Sequence, residues 1–258
     1  AEALTVGSDS LLLDVTPLSL GIETMGKITE KVISRNTPIP ASKAQEFTTY
    51  QDGQTAMMIH VVQGEREMVD QNRSLARFEL HGIPPMTAGA ARILVTFTID
   101  ADGLLTVSAR EQTTGLEQNV EVKPSYGIGE DDMARMLRDS MEHAKSDMTM
   151  RLLAESRVDG ERVLAALGAA LSADGDLCGE TERDHINQAV SRLREAIAGD
   201  DRDLIHARIT ELDEASRPFA ERRMDRGIRK ALEGKRVAEL TAGDSSSPSG
   251  EGKNKNSD

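Results

Sequence analysis

The sequence predicts an α+β chain, an antiparallel β-sandwich followed by an α-helical bundle, and three observations carry that prediction. Ile93, Val95, Phe97 and Ile99 alternate with Leu94, Thr96 and Thr98, the period of two that turns one strand face to a core. Asp52-Gly53, Asp102-Gly103 and Thr114-Gly115 fall between strand-like runs, where hairpins need residues that tolerate positive φ. After Tyr126-Gly127-Ile128-Gly129 the apolar spacing becomes helical.

Taken in order, strand signals run from Leu18 to Val122: ETMGKITEKVI, QEFTTYQDGQTAMMIHVV, SLARFELHGI and ARILVTFTIDADGLLTVSAREQTTGLEQNVEV. Their short spacing leaves no room for crossover helices, so the sheets should be antiparallel and packed face to face. Next, Met133, Met136, Leu137 and Met141 stand at helical spacing behind Glu130, Asp131 and Asp132, acidic residues suited to a helix start. DGDLCGE breaks this long helix, and Thr181 with Asp184 resembles a capping box opening TERDHINQAVSRLREAIAG. Asp200 or Asp201 starts another helix, DDRDLIHARITELDEAS, and Pro218 is expected to begin a last one, FAERRMDRGIRKALEG. The tail TAGDSSSPSGEGKNKNSD has no apolar residues to build a core and reads as disordered.

At 258 residues, 38% hydrophobic and 29% charged, the chain is long enough for two domains with a sizeable core. Net charge is -13, spread as -6 over residues 1–126 and -7 over the rest, which disfavours nucleic acid as a partner. No apolar run is long enough for a membrane span. The start, AEALTVGSDSLLLD, is unlike a signal peptide and carries no initiator Met, which fits a fragment of something longer. A single cysteine, Cys178, excludes an internal disulfide and fits a reducing compartment, the cytoplasm.

Catalytic chemistry is not visible. Glycine-rich phosphate loops, HExxH and G-x-S-x-G are all missing. His60, His81, His143, His185 and His206 have no ligand spacing, so no metal site is expected and each reads as structural or solvated. Asp100 and Asp102 precede Gly103 and read as turn formers rather than as a cation site. Cys178 lies between helices with no His nearby in sequence, and the basic cluster Arg217–Arg236 is interrupted by Glu221, Asp225 and Glu233, as in a solvated helix face. The expectation is therefore that the chain is not an enzyme.

LLLDVTPLSLGIETMG (Leu11–Gly26), RNTPIP (Arg35–Pro40), IHVVQGER (Ile59–Arg66) and DADGLLTVSA (Asp100–Ala109) are long, specific motifs. Through them the chain resembles the substrate-binding half of the seventy-kilodalton heat-shock chaperones, from Leu11 to about Leu240. The ATPase half that such chaperones carry upstream, with its ATP and magnesium, is expected to lie outside the chain, leaving no cofactor of its own. The resemblance implies residues 1–17 as interdomain linker, 18–126 as peptide-binding sandwich, 127–240 as helical lid and 241–258 as tail. Leu11, Leu12, Leu13 and Asp14 would dock on the ATPase domain, although a first edge strand is the plainer reading. Without that domain the lid is expected to stay closed and peptide to exchange slowly. QEFTTYQDGQTAM (Gln45–Met57) and FAERRMDRGIRKAL (Phe219–Leu232) resemble the branch of the family devoted to iron–sulfur cluster assembly. That branch implies the cluster scaffold protein as partner, held by a Leu-Pro-Pro-Val-Lys stretch, and a J-domain co-chaperone. A general-purpose chaperone for unfolded clients is the alternative.

The resemblance also implies the cleft: Ile22, Thr24, Met25, Phe47, Tyr50, Gln54, Ala56, Met57 and Ile59. Met25 and Tyr50 would arch over an extended peptide, whose backbone groups can pair with the receptor's whatever its sequence. Phe47, Met57 and Ile59 would line the central pocket, where burying a Leu- or Val-sized side chain is worth about 1.5–3 kcal/mol. Ile22, Phe47, Ile59 and Met57 would equally serve as ordinary sheet core. Tyr50, one of only two tyrosines and set beside a polar Gln51-Asp52-Gly53 turn, is harder to bury, so it is the clearest functional signal among them. In the lid, Arg66 and Asp147 are implied as a pair, while Ala88 and Ala165 stand where general-purpose members carry latching residues. That substitution leaves Asp52 and Glu161 without those partners and predicts a looser closure. An oligomerising module is the competing class, distinguished by concentration-dependent mass without peptide binding.

Overall fold

The computed structural model describes residues 14–124 and 128–243. Leu11, Leu12 and Leu13 of the expected linker, Tyr126, and the tail beyond residue 243 lie outside the described residues. The chain divides into two compact units, the first ending at Val158 and the second beginning at Asp159.

In the first unit the period-two pattern forms strands β1 (Leu20–Thr24), β2 (Ile28–Ile33), β3 (Ala41–Phe47), β4 (Ala56–Gln63), β5 (Arg73–His81), β6 (Ile93–Ile99), β7 (Leu105–Glu111) and β8 (Glu117–Val122). They make two antiparallel sheets, ordered β2-β1-β4-β5 and β3-β6-β7-β8. The alternating residues of β6 bury Ile93, Val95, Phe97 and Ile99, and β7 answers in register, with Phe97 opposite Val107 and Ile99 opposite Leu105. Leu20, Ile22, Ile33, Ile59, Val61 and Leu80 of the first sheet join these residues in one buried cluster. Strand β1 needs Gly21 because a Cβ there would stand 2.5 Å from the Glu30 carbonyl oxygen across the β1–β2 ladder. Gly21→Ala should therefore cost about 2 kcal/mol, read as a lowered urea midpoint at unchanged slope.

Two of the three predicted hairpins form. Gly103 and Gly115 adopt φ of +74° and +73° between β6, β7 and β8. Asp100 shapes the first of these turns by accepting the Asp102 and Leu104 N–H groups at 3.0 and 2.9 Å, as a turn former should. The Asp52-Gly53 hairpin does not form, because β3 and β4 belong to different sheets. Residues 48–55 instead cross between sheets and are tied to a neighbouring loop. Gly53 N–H donates to Met86 O at 2.8 Å, and Gly89 N–H to Thr49 O at 2.8 Å.

Three helices follow: α1 (Glu130–Asp174), α2 (Glu180–Ala198) and α3 (Arg202–Gly243). Met133, Met136 and Leu137 are half-buried on α1, whereas Met141 is exposed. The capping box is not made: α2 starts behind Gly179, and Thr181 lies inside the helix. Asp201 does cap α3, accepting the Leu204 N–H at 3.0 Å. Pro218 does not begin a separate helix but sits within α3. An interior proline costs about 3 kcal/mol. It is tolerated because Ile205, Leu212 and Phe219, spaced by seven on one face, are all fully buried, so a break at 218 would split that face. On α2, Ile186, Ala189, Leu193 and Ala196 are buried at helical spacing. Among the described residues no helix is long and apolar enough to cross a membrane.

Candidate functional site

The first sheet carries an open cavity of about 370 Å³, lined mainly by Ile22, Thr24, Met25, Phe47, Tyr50, Gln54, Met57 and Ile59. Eight of the nine cleft residues expected from the sequence are thus brought together by strands β1, β3 and β4 and the segments that follow them. The ninth, Ala56, is not in the lining. Its carbonyl instead accepts a 2.8 Å bond from Gln54 Nε2.

Local chemistry explains how each side chain is presented. Gln54 Oε1 accepts the Tyr50 N–H at 3.0 Å, so one amide side chain closes the crossing loop and holds Tyr50 over the cavity. Across from it, Gly26 and Lys27 adopt left-handed φ of 82° and 58° in the β1–β2 turn, and Thr24 Oγ1 donates to the Ile28 carbonyl at 3.2 Å. This turn carries Met25, which is 46% exposed. Ile22 and Ile59 are fully buried and belong to the core cluster, with Phe47 and Met57 packed against it. Core and cavity wall are therefore the same residues seen from opposite sides.

Four further lining residues, Glu23, Thr48, Met58 and His60, were not singled out by the sequence. His60 is buried and structural, as expected: its ring nitrogens meet Glu23 Oε2 at 2.6 Å and Ser74 Oγ at 2.8 Å, bridging β1, β4 and β5. Methionines at 57 and 58 follow the strand rule that adjacent side chains part, Met57 half-buried and Met58 exposed. The signal for Met58 and His60 was this adjacency to Met57 and Ile59 on β4.

Within the first unit, Arg66 and Arg151 both tie α1 to the sheet. Arg66 pairs with Asp147 through two bonds, Nε to Oδ2 at 2.5 Å and Nη2 to Oδ1 at 2.8 Å, as expected. The Arg66 hydrogen bond holds the nearly buried Asp147 carboxyl below the usual carboxylate range. Arg151 was missed. It reaches the Thr29 carbonyl at 3.3 Å, Glu67 at 2.9 Å, Glu30 at 3.2 Å and Glu155 at 2.9 Å. Burial works against its charge, yet Glu67, Glu155 and Glu30 hold its pKa above the ordinary arginine value. Its sequence signal was the four-residue step from Asp147, which places both on one helix face.

Asp52, where the latching side chain of general-purpose members is replaced by Ala88, has its Oδ1 accept the Ala88 N–H at 2.7 Å. Backbone supplies the donor where a side chain is lacking. Glu161 and Ala165 are exposed on α1 in the second unit. Cys178 is half-buried, and burial pushes its thiol pKa up, which suits no nucleophile.

Comparison with known proteins bears on this geometry. An Hsp70 protein family model matches residues 3–225. The chain is 59% identical to a chaperone protein HscA homolog of Ralstonia pickettii over 234 residues, 91% of this chain and 38% of that protein. It is likewise 59% identical to the HscA homolog of Tolumonas auensis and 58% to that of Vibrio cholerae, each over 90% of this chain and 38% of the relative. The chain thus spans well under half the length of the curated relatives it matches. One expectation is overturned. Hsp70 proteins are ATPases and the family model matches from residue 3, so the reading of this chain as not an enzyme, with the ATPase part wholly outside it, does not stand. Matched by the family model over more than half its length and similar throughout to HscA-type chaperones, the chain belongs to the Hsp70 family.

Proposed function

We propose that the cavity of the first sheet grips a short extended apolar peptide, with the strands as a peptide-binding sandwich and the helices as its lid. The observation that carries this reading is the convergence of Met25, Phe47, Tyr50, Met57 and Ile59 on one open, largely apolar hollow. A hollow of about 370 Å³ fits one aliphatic side chain with its neighbouring backbone. Methionine's flexible thioether lets Met25, Met57 and Met58 follow guests of different shape. The lining holds one carboxylate, Glu23, and no Lys or Arg, which suits a peptide and not a triphosphate. ATP and magnesium enter this reading as control exerted by the nucleotide-binding machinery of Hsp70 chaperones, with the segment around Asp14 as the coupling element and a J-domain protein as co-chaperone.

The proposed client is a Leu-Pro-Pro-Val-Lys-like segment of an iron–sulfur cluster scaffold protein, supported by the similarity to HscA homologs. That similarity does not favour a general-purpose client range. Tyr50 supports the choice physically, because a bulky ring beside the cavity favours a ligand that proline already holds extended and that loses less entropy on binding. Tyr50→Ala should lower the preference for a proline-containing over a proline-free peptide by about fivefold. Unchanged preference, measured by competition, would remove Tyr50 from this role.

Methyl-labelled methionine provides the direct test of the site. Adding a Leu-Pro-Pro-Val-Lys peptide should shift the Met25, Met57 and Met58 methyl resonances and leave Met224, on α3, in place. Shifts absent from the first three would refute the assignment.

A further inference from the structure

Resting on that reading, we infer that Arg151 is a positioning residue that sets how long the cavity keeps its peptide, by fixing the β1–β2 turn from α1. Four acceptors converge on its guanidinium, from β2 (Thr29 O and Glu30), from the segment after β4 (Glu67) and from α1 itself (Glu155). The same stretch of α1 lies against the turn. A Cβ on Gly26 would come within 3.1 Å of Val158 Cγ2 and 3.4 Å of the Ala154 carbonyl oxygen. That turn carries Met25, and its first residue, Thr24, also lines the cavity. One rigid path therefore runs from Arg151 through Thr29 and Glu30, back along the β1–β2 ladder, where Thr29 lies opposite Glu23 and Ile28 opposite Thr24, to the cavity edge.

The two arginines divide the work by position. Arg66 pairs with Asp147 alone on α1, and its own backbone is held by Asn72, whose Oδ1 accepts the Arg66 N–H at 3.1 Å. That anchors the helix to the segment after β4. Arg151 reaches β2 as well, at the Thr29 carbonyl and Glu30. Losing it frees the turn on its far side while Arg66–Asp147 still holds the helix. The entry path stays as it was, and the wall that must move for exit becomes softer. Dissociation should then change more than association.

The test measures both rate constants for a labelled Leu-Pro-Pro-Val-Lys peptide on the unaltered chain, Arg151→Ala, Arg151→Lys and Arg135→Ala. Arg135 makes only an exposed contact with Asp132 on α1 and serves as the control. Arg151→Ala should raise the dissociation rate about tenfold with association changed less than about twofold. Arg151→Lys should recover only part of this, since a point charge cannot serve four acceptors set around a planar fork. Hydrogen exchange should rise in residues 24–30 and not in β6 to β8. A double variant with Glu67→Ala should be less than additive. If the unaltered chain binds the peptide and Arg151→Ala releases it at the parent rate, the inference is overturned. If the unaltered chain binds no peptide, it is the reading of the cavity that fails.

Discussion

Asp147→Ala is expected to destabilise the docking of α1 on the first sheet by about 3 kcal/mol, the cost of leaving one member of a nearly buried ion pair behind. Only 3% of the Asp147 side chain and 14% of Arg66 is exposed, so water cannot replace the lost partner cheaply. The pair is also bidentate, which adds geometric fit to charge. Hydrogen exchange along residues 140–158 should rise steeply, with β6 and β7 protected as before. Acid should mimic the substitution. Because the folded carboxyl titrates below its ordinary value, its contribution is complete above about pH 4 and is lost as pH falls through the folded pKa. Asp147→Asn should therefore flatten the acid limb of the stability profile below about pH 4. An acid limb identical to that of the unaltered chain would show that other carboxylates set it.

Met57→Glu should weaken peptide binding about a hundredfold, since lost apolar contact and a carboxylate without a partner together cost about 3 kcal/mol. The residue is half-buried at the cavity wall, packed against the core but not part of its fully buried set, so the sheets should survive the change. Titration of the same peptide against Met57→Leu separates charge from shape. A near-parental affinity for the leucine variant and loss for the glutamate variant is the expected pattern. Equal affinities for both would mean that Met57 does not face the ligand.

Period-two alternation made β6 and β7 legible, because a half-buried strand has no other way to hide Ile93, Val95, Phe97 and Ile99. Asp201 was legible as one of two candidate caps, since the chemistry of a helix start is local. What escaped was set by distant contacts. An Asp-Gly pair announces a turn but not which strands it joins, so Asp52-Gly53 read as a hairpin and proved to be a crossing between sheets. Pro218 is a local breaker overruled by burial of Leu212 and Phe219 on either side. Arg151 is one charged residue among many on a long helix, and only the fold brings Glu30 and Glu67 to it. The cleft positions came from family resemblance; composition and spacing alone leave Ile22, Phe47 and Ile59 indistinguishable from core, which in the structure they adjoin or join. Family membership was legible in motifs such as Leu11–Gly26 and Asp100–Ala109, whereas the expectation of no enzyme leaned on missing catalytic motifs and is the one that the Hsp70 match overturns.

Fluorescence anisotropy of two labelled peptides titrated with this chain tests the central claim most directly. One contains Leu-Pro-Pro-Val-Lys, and the other is leucine-rich, basic and free of proline. Saturable binding that prefers the first by at least about fivefold is the predicted result. Equal or reversed preference would contradict a dedicated scaffold client, and binding of neither would contradict the cavity as a peptide site.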